Sequence, residues 1–301
     1  MAMTITSQIS ANKTKTYVFV AAFVAFVVLI GYVLGQGLGY GNSFMWIAVL
    51  FASVSSFVSY YWGDKMVLAM SGARPADRKR EFDFFTVAEN LALAAGIPKP
   101  KLYVIDDPAM NAFATGRDPQ HAVVCATSGI LAKLDRRELE GVIAHELSHI
   151  RNFDTRLLAV VAVLVGTVAF LTDMFMRSLW WGGGRRSRDD ENNGGQIFLI
   201  LGIILAIISP IIATLIQLAV SRKREFLADA SGAYLTRYPE GLARALEKLK
   251  NDKNVMPTAT NATAHLFIVN PFKGKSFGVW FSSLFDTHPP IDERIKILRS
   301  M

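Results

Sequence analysis

Eighteen consecutive residues without a charge are poorly suited to water, and this chain carries two such runs near its start. Tyr17 to Leu34 is the first, and Phe44 to Trp62, with 19 residues, is the second. Either can cross a hydrocarbon core about 30 Å thick as a helix. Lys13 and Lys15 give the first run the basic flank of a cleavable leader. It is longer than a leader's usual apolar segment, however, and the second run follows at once. The pair reads as a transmembrane hairpin over 17–62 behind an N-terminal tail over 1–16. Two further charge-free runs come later, Leu157 to Thr172 and Gln196 to Val220, with Pro210 an expected kink. The third run has only 16 residues, or about 24 Å of helix, so 157–220 reads as a shallow or tilted second hairpin. The polar linker over 177–195 interrupts it, rich in Gly, Arg, Asp and Asn.

Composition supports a membrane setting. The chain is 51% hydrophobic and 19% charged, with mean hydropathy +0.30. Its net charge of +7 is spread rather than massed, as in loops facing anionic lipid, and no nucleic-acid partner is expected. Basic residues flank the outer ends of the first hairpin (Lys13, Lys15, Lys65, Arg74, Arg78, Lys79 and Arg80), while Gly35 to Ser43 has none. Both ends are therefore expected in the cytosol, in a multi-pass protein of the cell (inner) membrane. Arg222, Lys223 and Arg224 after the fourth run agree; Arg177, Arg185, Arg186 and Arg188 in the distal linker do not. Cys125 is the only cysteine, so no intrachain disulfide can form, and its place in a strand pattern makes it a packing residue.

The polar parts, 63–156 and 221–301, carry the chemistry. A helix is expected over Phe82 to Ala95, stopping at Gly96-Ile97-Pro98. Lys101–Ile105 and His121–Thr127 read as short strands, with a hairpin suggested by Asn111–Gly116 and the turn Arg117–Gln120. Asp135 with Glu138 forms a capping-box pattern ahead of an amphipathic helix. On that helix lies His145-Glu146-Leu147-Ser148-His149. Imidazoles at i and i+4 share a helix face, so they can offer two ligands to one zinc ion and set a carboxylate beside it. A catalytic site needs a third protein ligand. Glu225 is the strongest candidate, with Asp229 one turn on, so that one can bind metal while the other supports a ligating imidazole. If the two later runs form a hairpin, its feet bring His149 and Glu225 to one membrane face. The glycines of 35–41 follow an apolar run rather than a strand, which excludes a phosphate loop. His121 and His265 are read as structural.

These motifs, together with Pro108–Gly116, His265–Pro271 and Thr287-His288-Pro289-Pro290, resemble the HtpX and CAAX prenyl endopeptidase family of gluzincins over nearly the whole chain. The resemblance implies a mainly α membrane protein: four apolar helices and a zincin-like α+β metallopeptidase domain with a small sheet. It implies His145, His149 and Glu225 as ligands of one zinc per chain and Glu146 as catalytic base. It further implies an edge strand that holds the substrate extended, with Asn111 and His288 near the substrate backbone or the developing oxyanion. The expected activity is endoproteolysis of membrane or misfolded proteins at the cytosolic face, in quality control and stress response. A prenyl-protein processing peptidase is the nearest alternative, although four apolar runs are few for its membrane chamber. A transporter would place ionisable groups in mid-membrane, where these runs have none.

Overall fold

The computed structural model describes residues 5–37, 42–164, 204, 208, 222–260, 263–271 and 289–301. Two long helices, α1 (Ile5–Gly37) and α2 (Ser43–Met70), pack side by side. Both contain windows long and apolar enough to cross a membrane, Asn12–Leu29 and Met45–Met70. Val18, Ile47 and Leu50 stand 60%, 62% and 67% exposed on them, large apolar side chains suited to lipid rather than water. The opposite face of α1 buries Asn12, Thr16, Phe19 and Phe23. Phe23 joins Ala52 of α2 with Val160 and Leu164 of the helical segment 154–164 in one cluster.

The helix limits differ from those read in the sequence. α1 begins at Ile5, so most of the expected tail is its first three turns; residues 5–16 hold no Gly or Pro, and Asn12 and Thr16 gain burial there. α2 runs past Trp62 to Met70, because Val67 and Leu68 pack onto Ile105, Phe113 and Phe267. Of the two later apolar runs, 157–164 is helical. Except for 204 and 208, the rest of them and the linker over 177–195 lie outside the described residues, as does His288.

A small mixed sheet follows: β1 (Arg74–Pro75), β2 (Lys101–Ile105), β3 (Ala112–Thr115) and β4 (Val123–Thr127), in the order β1-β2-β4-β3. β2 and β4 are parallel and the other pairs antiparallel. β4 starts two residues later than the pattern predicted, because Asp118 caps a 3₁₀ turn, Pro119–His121. Around the sheet stand α3 (Phe82–Ala95), α4 (Ser128–Lys133), α5 (Arg136–Arg151), α6 (Arg222–Thr236), α7 (Pro239–Asn251) and α8 (Ile291–Arg299). α3 stops where expected, with the Ile97 N–H bonded to the Ala92 carbonyl.

α5 is the centre of the domain, touching α3, α6, α7 and β3. Its capping box is complete: Glu138 N–H donates to Asp135 Oδ1 at 2.9 Å and Asp135 N–H to Glu138 Oε2 at 2.8 Å. Ile143, Leu147 and Ile150 share a core with Phe84, Val124, Leu246 and Leu298. Gly141 sets the spacing on the far side, since a Cβ there would lie 2.6 Å from the Leu242 nitrogen of α7. Gly141→Ala is therefore expected to force the helices apart and cost about 1–3 kcal/mol, as overpacking does. Thermal unfolding of the detergent-solubilised protein measures it, and an unchanged midpoint would contradict this packing.

Candidate metal centre

His145 and His149 sit one turn apart on α5, both buried, with their Nε2 atoms 3.2 Å apart. Glu225, in the first turn of α6, completes the group: Oε1 is 3.4 Å from His149 Nε2 and Oε2 is 3.7 Å from His145 Nε2. The three side chains offer donor atoms that all lie within 4.8 Å of one another. With metal–nitrogen bonds of about 2.0–2.1 Å, the edge of a tetrahedral site is about 3.4 Å. The observed spacings bracket that value, so these residues fit a four-coordinate cation. Gly232 makes the approach possible, because a Cβ there would sit 3.0 Å from the His145 nitrogen, and α6 thus lies directly on that turn.

The other ring nitrogens are also engaged. Asp229 Oδ1 is 2.9 Å from His145 Nδ1, and Asp154 Oδ2 is 2.9 Å from His149 Nδ1. An ionised carboxylate only accepts, so the hydrogen bond at His149 Nδ1 puts a proton there and turns Nε2 towards the metal position, while His145 Nδ1 faces Asp229 at ion-pair distance without hydrogen-bond geometry. Asp229, read in the sequence beside Glu225, is thus a neighbour of an imidazole. Arg294 of α8 grips it from behind, with Nε to Oδ2 at 2.8 Å and Nη2 to Oδ1 at 2.7 Å. The same guanidinium reaches Glu225 Oε2 at 3.8 Å.

Burial sets the protonation of this cluster. It holds the Glu146 carboxyl up at about 7, with the His149 charge working against it. Burial also lowers His145, which Asp229 partly offsets. For His149 burial pulls down, but Glu225 and Asp154 outweigh it and raise the imidazole to about 9. Asp229 is pushed up by burial and down further by Arg294, ending at about 2.

A small enclosed cavity lies over the donors, lined by Ala114 of β3, Glu146, Thr155, Leu158, His265 and Leu266 among others. His265, read as structural, is buried there with Nε2 3.4 Å from the Leu158 carbonyl. His121 stays on the surface against Asp118. Asn111 does not face the cavity as a free amide: its Nδ2 donates to the Val269 carbonyl at 3.0 Å, and its Oδ1 accepts from the Ala112 and Val269 amides at 3.2 and 3.4 Å. Asp154 and Arg294 were not singled out in the sequence. Asp154 stands five residues beyond His149, past the helix end, and Arg294 four beyond Pro290; neither position carries a metal-ligand spacing.

The model of peptidase family M48 matches residues 78–301, a segment containing every residue just described. The chain belongs to peptidase family M48. It is accordingly a metalloprotease. Among curated M48 relatives, "Protease HtpX homolog" of Caldanaerobacter subterraneus subsp. tengcongensis is 47% identical over 291 residues, covering 96% of this chain and 95% of that protein. The protein of the same description from Streptococcus pneumoniae (strain ATCC BAA-255 / R6) is 44% identical over 303 residues, covering 98% of this chain and 99% of its own. The crystal structure of S. mikatae Ste24p is a looser likeness, at 18% identity and a TM-score of 0.46, over 96% of this chain and 65% of that one.

Removing the Arg294 side chain would strand the buried Asp229 charge. Arg294→Met is expected to cost about 3–5 kcal/mol, the usual penalty for breaking a buried pair. Arg294→Lys keeps the charge without the two-pronged fit and should recover only part. Thermal denaturation of the three proteins decides it, and full recovery by lysine would refute the bidentate role.

Proposed function

We propose that the chain is a zinc-dependent endopeptidase that cuts membrane or misfolded proteins at the cytosolic face of the cell membrane. The observation that carries this reading is the convergence of two imidazole Nε2 atoms and a Glu225 carboxylate, with the buried Glu146 next to His145. Two nitrogens and a carboxylate oxygen are the donor set of catalytic zinc sites that keep a fourth position open. Zn²⁺ held there would supply the Lewis acidity that polarises a scissile carbonyl and acidifies water.

Glu146 is the group that takes the proton from the attacking water and returns it to the departing amine. Burial suits it to both roles, because it keeps the carboxyl close to neutrality in affinity for protons. Asp229 and Asp154 hold the imidazole rings in place, and His288 is assigned to steady the oxyanion. An extended substrate would lie along β3. The Thr127 amide bonds the Asn111 carbonyl, so in the antiparallel register Ala112 and Ala114 turn their peptide groups away from β4. Ala112 already accepts from the Ile268 amide at 3.0 Å and the Ala114 amide is turned to the Glu146 carboxylate, so the Ala114 carbonyl is the group of this edge offered to the substrate backbone.

The cytosolic assignment is supported by charge. Lys13 and Lys15 on α1 and Lys65 on α2 lie at the same ends of the first two helices as the metal-binding domain, the sign the positive-inside bias expects.

Replacing Glu146 by Gln is expected to leave one zinc per chain, measured by elemental analysis, while casein cleavage falls about 10²–10⁴-fold. Glu225→Ala should lower zinc content itself. Cleavage by Glu146→Gln at the wild-type rate would end the mechanism, and cleavage confined to prenylated C-terminal peptides would favour the processing alternative.

A further inference from the structure

The first helix reaches the metal centre. Asn12 of α1 is 3% exposed, and its Nδ2 donates to Asp154 Oδ1 at 2.7 Å and to the Asn152 carbonyl at 2.9 Å. Asp154 offers its other oxygen to His149 Nδ1. Arg224, the residue before Glu225, closes the ring, with Nη1 3.2 Å from Asp154 Oδ1 and 3.3 Å from Asn12 Oδ1. Three segments remote in sequence thus share one hydrogen-bonded knot: α1, the turn after α5 and the start of α6.

That turn needs holding. Phe153 adopts φ 60°, a conformation disfavoured for a bulky residue, and Lys13 sits 4.6 Å over its ring. Two consecutive residues of α1 therefore secure the two residues that follow the Asn152 cap. A carboxamide on a helix that enters lipid is costly to bury unless satisfied. Here both of its donor hydrogens and its oxygen have partners, and every partner belongs to the segment carrying Asp154 or Glu225.

We propose that Asn12 is a positioning residue of the metal centre: by orienting Asp154 it fixes the His149 ring, so metal affinity depends on α1 being docked. This rests on His145, His149 and Glu225 as the ligand set. Outer partners of metal-ligating histidines tune affinity strongly, because they fix ring orientation and tautomer. Asn12 acts one hydrogen bond further out, through the carboxylate, and touches neither substrate nor metal.

The full-length protein in detergent tests it. Asn12→Leu, which keeps the branched shape and removes the bonds, should raise the zinc dissociation constant about tenfold in a chelator competition. It should also change the ligand-field spectrum of the Co²⁺-loaded protein. Thr16→Val should change neither, because among the described residues the Thr16 hydroxyl bonds only the Asn12 carbonyl of its own helix. In an Asp154→Asn background, Asn12→Leu should add less than about twofold, since coupled residues are not additive. If Asn12→Leu fails to accumulate, Asn12→Ser carries the same expectation, its hydroxyl being too short to reach Asp154. Wild-type affinity and spectrum in these variants would overturn the proposal, as would independent, multiplying effects of the Asn12 and Asp154 changes. His149→Ala separates the two levels. If it leaves zinc binding intact, the ligand assignment fails; if it abolishes binding while Asn12→Leu does not affect it, only the role of Asn12 fails.

Discussion

Charge withdrawn from water has to be answered within a few ångströms, and that requirement organises this protein. Glu146, Asp154, Glu225 and Asp229 are all buried around one point. Among the described residues, two guanidinium groups meet them there: Arg294 against Asp229, and Arg224 against Asp154. A divalent cation between His145, His149 and Glu225 would add positive charge where carboxylates outnumber guanidinium groups. Packing serves the same end. Gly232 lets α6 lie on the His145 turn, and Gly141 lets α7 close the other side of α5, so the carboxylates arrive at bonding distance.

What could be read from the sequence was what is local. The capping box and the His145–His149 spacing are both settled within a few residues of chain, and α5 follows from them. Glu225 was within reach because apolar runs constrain where chain segments can go. The supporting residues were not, since Arg294 meets Asp229 across 65 positions and Asn12 meets Asp154 across 142. No spacing rule spans such distances. Counting charges also located the edges of the oily segments rather than the ends of the helices, which is why α1 starts earlier and α2 ends later than the runs themselves.

Asn111, expected from the resemblance near the substrate backbone or the oxyanion, has a place in the fold as well. Its side chain imitates a peptide group, donating to and accepting from Val269 across 158 positions. The segment 263–271 is thereby stitched to the start of β3, where Ile268 continues the pairing at Ala112. Edge strands are ordinarily open to any passing chain, and half of this one is already closed.

The length of α2 has a consequence of its own. At about 1.5 Å per residue its 28 residues make a rod of about 42 Å, against a hydrocarbon layer of about 30 Å. The surplus is rigidly seated, because Val67 and Leu68 near its end are packed among Phe113 of β3 and Phe267. Such a mast ties the edge strand of the metal-binding domain to the apolar length of α2 at a fixed separation.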